Sequence, residues 1–216
     1  MRGVQFGEFH TADDWGLILN SKDIKTPTRK IVKISVDGRD GDINLSRALT
    51  GEMRYNNREA SFTFLVTEGS YEEREELLDE IRNNIDGYEL QIIDPDKPDY
   101  YLVGECGVSD VVNNKAYGSF KITADCEPYY YAKNETRRVV TLTTTDIEIN
   151  LTNKGRKTLS PTVIVEGNAT IGYGATVETL GTGTYKLTSL YMRKGVTTVT
   201  VRGSGSVTFV YREAVL

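Results

Sequence analysis

Histidine is almost absent: in 216 residues there is His10 and no other, and cysteine occurs twice, at Cys106 and Cys126. Any hydrolytic triad built on imidazole would rest wholly on His10, which stands in a polar N-terminal segment and reads as a surface or structural residue. A structural zinc site takes about four ligands, and neither a C-x-x-C pair nor histidine company exists to supply them. The cysteines read as reduced, buried residues, with a disulfide as the alternative. Also missing is any apolar run near the ~18 residues of a membrane span, or an apolar stretch of signal-peptide type in M-R-G-V-Q-F-G-E-F-H-T-A-D-D-W. The expectation is a chain made and folded in a cytoplasm, with no membrane partner.

The familiar chemical motifs are lacking too. G-R-D-G-D, at Gly38 to Asp42, has no G-K-[ST] ending and precedes no helical pattern, which removes a phosphate loop. Asp40, Asp42 and Asn44 occupy the first, third and fifth positions of a calcium loop, but Leu45 stands where glycine is needed and Gly51 where glutamate is needed. Two carboxylates suffice for glycoside hydrolysis, and no facing pair is legible. The acid run E-E-R-E-E, at Glu72 to Glu76, falls on a helix and reads as its solvated face. Neither a metal nor a cofactor is expected.

What is present describes a soluble β-rich protein. Hydrophobic residues make up 38% and charged residues 26%, enough for two domains with cores of their own. Residues 1–130 hold 15 Lys and Arg against 25 Asp and Glu, net −10, and residues 131–216 hold 11 against 6, net +5. An acidic first part argues against sequence-specific nucleic-acid binding. The polarity fits surfaces that meet something of opposite sign, or two domains with different solvated surfaces.

Along the chain, a first strand is expected near Trp15 to Leu19. Ile31 to Val36 alternates as a half-buried strand, with Val32, Ile34 and Val36 on one face. Val36 to Val66 then holds a long charged, glycine-containing loop followed by Phe62, Phe64 and Val66 alternating on a strand. Ordered loops of that length are usually functional. Ser70 to Ile85 predicts a helix, because Ser70 and Glu73 form a capping box and Leu77, Leu78, Ile81 and Ile85 recur on one stripe. Strands follow at Tyr88 to Ile93, at Tyr100 to Val112 with a bend near Gly104 or Gly107, and at Ser119 to Cys126. E-P-Y-Y-Y-A-K-N-E-T breaks the pattern and marks a domain boundary. Beyond it, short strands at Val139 to Leu142, Ile147 to Leu151, Thr162 to Val165, Tyr185 to Met192, Val196 to Val201 and Val207 to Tyr211 predict a small β-sandwich. N-K-G, E-G-N and G-S-G read as its turns.

Several stretches, taken in order, carry a family resemblance: D-D-W-G-L-I-L at Asp13 to Leu19, V-D-G-R-D-G-D-I-N-L at Val36 to Leu45, and Y-N-N-R-E-A-S-F-T-F at Tyr55 to Phe64. They continue with D-P-D-K-P-D-Y-Y at Asp94 to Tyr101, F-K-I-T-A-D-C-E-P-Y-Y-Y at Phe120 to Tyr131, S-P-T-V-I-V-E-G at Ser160 to Gly167 and V-T-F-V-Y-R-E at Val207 to Glu213. Over nearly its whole length the chain resembles the distal tail proteins (Dit) of siphophages and Gram-positive prophages. The resemblance implies a mainly β protein: an N-terminal sandwich-like domain, residues 1–130 with a helix at 70–86, and a galectin-like β-sandwich, residues 131–216. It implies a homohexameric ring in the virion tail, a hub joining the tail tube protein to the tail-associated tip or baseplate protein, without catalysis. DNA would only pass through the channel, and an acidic wall would keep phosphates from sticking. Arg39, Asp40, Asp42, Arg54 and Arg58 are the candidate residues for one side of the ring interface. A carbohydrate-binding module, stacking sugars on exposed aromatics of the second domain, is the alternative.

Overall fold

The computed structural model describes residues 2–48 and 51–216. It divides into two compact units, Met1–Pro128 and Tyr129–Leu216, and the division falls inside the E-P-Y-Y-Y segment.

The first unit holds β1 (Gln5–Phe6), β2 (Phe9–His10), β3 (Ile18–Ile24), β4 (Lys33–Ile34), β5 (Ile43–Asn44), β6 (Arg58–Val66), the helix α1 (Tyr71–Ile85), β7 (Glu89–Ile93), β8 (Tyr100–Asn113) and β9 (Gly118–Cys126). One antiparallel sheet runs β2–β1–β7–β8–β9–β6–β3. Strict alternation decides its two faces: Phe62, Phe64 and Val66 on β6 and Phe120, Ile122, Ala124 and Cys126 on β9 are buried, while the residues between them face outward. The sheet curls over this core. Phe6, on β1, packs edge-on against Phe62 of β6 at 5.6 Å although β7, β8 and β9 lie between those strands in the sheet.

The helix closes one side of the unit against β8. Both halves of its capping box form: Ser70 Oγ accepts from Glu73 N at 3.2 Å, and Glu73 Oε2 accepts from Ser70 N at 2.7 Å. Leu78, Ile81 and Ile85 are buried, and Arg74 is buried on the same side. Arg74 donates to Asn113 Oδ1, Gly69 O and Asn114 O at 3.0, 2.6 and 2.5 Å, which ties the start of the helix to the β8–β9 hairpin.

The first strand of any length lies at Ile18–Ile24 rather than near Trp15, because Trp15 and Leu17 are drawn into the core. Trp15 stacks on Phe9 at 5.0 Å and donates its indole N–H to Glu80. The break in β8 comes at Ser109 to Val112, around Asp110 with φ 51°, and the ladder is regular past Gly104 and Gly107.

The second unit holds β10 (Tyr130–Ala132), β11 (Thr136–Thr141), β12 (Ile147–Asn153), β13 (Thr162–Tyr173), β14 (Thr176–Leu180), β15 (Gly183–Lys186), β16 (Gly195–Tyr211) and β17 (Ala214–Val215). The two expected strands at Val196 to Val201 and Val207 to Tyr211 are one strand of 17 residues, and Thr162 to Val165 continues to Tyr173. Glu166-Gly167-Asn168 and Gly203-Ser204-Gly205, expected as turns, pair with one another at the middle of β13 and β16. There a Cβ on Gly203 or Gly205 would lie 1.9 Å from a carbonyl oxygen of β13, so only glycine lets the strands run on through the crossing. On one side of it β12 and β14 flank the pair, and on the other β11 and β15 do. The result is a sandwich in which two long strands serve both layers around Leu151, Val163, Val165, Val199, Val201, Val207 and Phe209.

Candidate functional site

Between Ile24 and Arg58 the chain leaves the sheet as a two-stranded arm. Lys25 N donates to Glu59 O, Arg29 bridges Tyr55, and Lys30 N donates to Arg54 O, so the arm prolongs β3 and β6 beyond the sheet. Farther out, β4 pairs with β5 as Lys33 opposite Asn44 and Ile34 opposite Ile43. The chain reverses through Asp37 to Asp42, where Gly38 and Gly41 take φ of 80° and 73°. Residues 49 and 50, within the predicted long loop, lie outside the described residues.

The sequence pattern placed Val32, Ile34 and Val36 on one face; in the ladder Val32 and Ile34 share it, opposite Leu45 and Ile43 of the facing strand. The expected burial does not occur. Val32 is 53% exposed, Ile34 48%, Val36 42% and Leu45 37%. Ile31, on the other face, is exposed as well. Among the described residues of the first unit none buries this stripe, because the arm runs off the edge of the sheet. A two-stranded hairpin is marginal in water by itself, and a contiguous exposed apolar face marks an interaction surface.

Of the candidate interface residues, Arg39, Asp40 and Asp42 gather at the exposed tip, where Asp42 pairs with Lys33 at 3.9 Å, and Arg54 is exposed near the base. Arg58 is placed differently. It is 4% exposed and donates through Nε at 3.1 Å, and again through Nη2, to Pro128 O. Its charge serves the inside of the first unit, and its side chain is not available to a neighbour. The arm has a charge character of its own: residues 25–57 carry seven Lys and Arg and four Asp and Glu, net +3, which leaves net −13 on the remainder of residues 1–130.

Elsewhere the chemistry is quiet. His10 Nδ1 accepts from Asp13 N at 3.2 Å in a local turn. Cys106 and Cys126 are free, buried thiols, and burial pushes each up to about 12. Asn44 Oδ1 accepts from Ser46 N, a local turn bond. Among the described residues no cluster of His, Cys, Asp or Glu could hold a metal ion, and no helix is long and apolar enough to cross a membrane. In the second unit Tyr129, Tyr130 and Tyr211 are buried, Tyr131, Tyr173 and Tyr185 half-buried, and Tyr191 alone of its tyrosines is exposed.

No family model matches the sequence, and no curated protein does. The fold does find a counterpart. The crystal structure of SPP1 Dit (gp 19.1), described as a paradigm of the hub adsorption apparatus in phages that infect Gram-positive bacteria, matches with a TM-score of 0.73 over 100% of both chains at 12% identity. The chain has the fold of that Dit protein. The match spans both units, mainly β with one helix.

Proposed function

We propose that the chain is a structural component of a phage tail: a ring-forming hub, six copies to the ring, between the tail tube and the tip or baseplate protein. The observation that carries this reading is the arm, where the apolar side chains of Val32, Ile34, Val36 and Leu45 are exposed. The likeness of both units to the Dit fold supplies the setting. A closed cyclic ring joins unlike patches, so that each copy gives one surface and receives another. The arm with Arg39, Asp40, Asp42 and Arg54 is the giving surface.

Magnitudes say how such a ring holds. A half-exposed aliphatic side chain gains roughly 1 kcal/mol when covered, so the four exposed ones gain about 4 kcal/mol. Association forfeits about 4 kcal/mol or more of translational and rotational freedom. A single arm contact is therefore weak. In a closed ring every copy makes two such contacts, and closure holds what one contact does not. The acidic body of the first unit suits a channel that DNA traverses without sticking, and the ring belongs to the virion tail. In the second unit Tyr191 is the exposed tyrosine and the others are buried or half-buried, which leaves little open aromatic surface for stacking sugars. Tail assembly is the better reading.

Negative-stain imaging of the purified chain tests it. Closed rings with a central channel support the reading, and particles without rotational symmetry at every concentration, with or without tail tube protein, refute it.

A further inference from the structure

Asn153, fully buried at the end of β12, lashes two turns of the second unit together. Its Nδ2 donates to Lys157 O and to Met192 O, each at 2.9 Å, its Oδ1 accepts from Gly155 N at 2.9 Å, and its backbone pairs with Gly195 of β16. Leu159 and Met192 exchange two backbone hydrogen bonds, at 3.1 and 2.7 Å. The turns held this way, residues 153–159 and 191–195, carry Lys154, Arg156, Lys157, Arg193 and Lys194 and no acid, which is five of the eleven cations in residues 131–216. Lys157 is half-buried, donating to Tyr131 Oη at 2.6 Å and lying over the Tyr129 and Tyr131 rings, and the other four are exposed. Glu213 reaches this end of the unit, but its carboxylate accepts from the backbone N–H of Lys154. Like charges gathered on two joined turns repel one another. Asn153 and the backbone hold the turns, so the fold does not call for those charges.

The outward face of the adjoining layer continues from these turns. Alternation puts Thr152 and Val196, then Asn150 and Thr198, then Glu148 and Thr200 outward in successive rows of β12 and β16. On β13, Gly172 lies beside Thr200 and Thr170 beside Arg202. This far end is a groove of about 320 Å3 in which Asp146 pairs with Arg202 at 3.7 Å and Gly172 puts no side chain on the floor. Asn150 Oδ1 accepts from Thr198 Oγ1 at 2.9 Å, which leaves the carboxamide N–H groups of Asn150 to donate elsewhere. From Lys194 to Arg202 the strand extends ~26 Å at about 3.3 Å per residue. Cations thus stand at both ends of a face whose middle offers hydroxyls and a carboxamide.

We propose that this face binds a linear phosphodiester polymer of short polyols, its phosphates at the Lys154 and Lys194 end and at Arg202, its hydroxyls along the rows between. Phosphate suits both cation types, arginine as a bidentate fork and lysine as a point charge. The cations spread over two turns instead of closing round a pocket, so the ligand is a chain lying on the surface and not one small anion. A single-stranded nucleic acid would be held by aromatic planes on which its bases stack, and the rows between the cations present threonine and asparagine instead. An acidic peptide would meet the cations and leave those hydroxyl rows unused. Ring formation plays no part in the binding, so its failure leaves the assembly reading untouched.

Titration of the full-length protein with purified poly(glycerol phosphate), at low and at physiological salt, tests the site. Single-stranded DNA, duplex DNA, polyglutamate and phosphatidylglycerol vesicles are run beside it. The polymer should bind saturably, at least tenfold more tightly than any of the four, and more weakly as salt rises. Lys154→Glu combined with Lys194→Glu should weaken binding at least tenfold. Thr200→Val, which keeps every charge, should weaken it at least threefold, and both variants should melt with the parent chain. No binding of the polymer at low salt would overturn the proposal. DNA or polyglutamate bound as tightly as the polymer would overturn it by making the patch a general polyanion surface. Vesicles bound in preference to the soluble polymer would overturn it in favour of a lipid headgroup. A Thr200→Val chain that binds like the parent would remove the hydroxyl rows from the site and overturn it as well.

Discussion

Leu45 donates its backbone N–H to Val32 O at 2.8 Å, setting two aliphatic side chains opposite one another with 37% and 53% of each still open to solvent. On the proposed assembly reading, that exposed apolar face is one side of an interface. Ile34→Asp should leave the isolated chain folded, with stability changed by less than about 0.5 kcal/mol, as for other exposed sites. Its assembly constant should fall at least tenfold, about 1.4 kcal/mol. Sedimentation velocity across a concentration series, with thermal melts alongside, separates the two effects.

Arg74 behaves in the opposite way. It is 3% exposed and donates to Asn113, Gly69 and Asn114, so Arg74→Met leaves three acceptors without their donor. A loss of about 2–4 kcal/mol is expected, read as a lowered urea midpoint with the helical signal weakened first.

Gly205 marks the crossing of β13 and β16, at φ 92° and with Glu166 O where a Cβ would stand. Gly205→Ala should destabilise the second unit by about 3 kcal/mol or more. A melting curve in which the second unit unfolds early would bear this out, and a melt like that of the parent chain would contradict it.

The thiols of Cys106 and Cys126 ionise only near about 12 in the folded chain, against 9.0 for an ordinary thiol. The folded state therefore holds protons that the unfolded state releases. The stability they contribute is complete below pH 9 and falls as pH rises from 9 toward 12, by about 1.4 kcal/mol per pH unit for each thiol. Urea titrations from pH 7 to 10.5 should show a smaller alkaline loss in Cys106→Ala than in the parent. Native protein at pH 8 should resist thiol reagents, and both cysteines should react once it is unfolded.

Much of the fold was legible because local signals and tertiary packing agreed. The Ser70 and Glu73 box set the start of the helix, and the alternation from Phe62 to Val66 and from Phe120 to Cys126 gave two central strands with their faces. Other parts were hidden for physical reasons. Gly203 and Gly205 resemble a turn in sequence, yet their missing side chains serve a close approach of two strands. Trp15 and Leu17 read as strand but fill the core from a turn. Val32 and Ile34 were placed on the right face, and their burial was misjudged because alternation reports a face meant for covering without saying which chain covers it. Arg58 was grouped with the interface by its charge, and a buried carbonyl partner is not a property that sequence spacing displays.

The central claim is that this chain closes on itself through the arm. Native mass spectrometry of the purified full-length protein and of Ile34→Asp, at matched concentrations, tests it most directly. The account predicts a six-copy species for the parent and monomer for the variant. A parent that stays monomeric, or a variant that assembles as well as the parent, would contradict it.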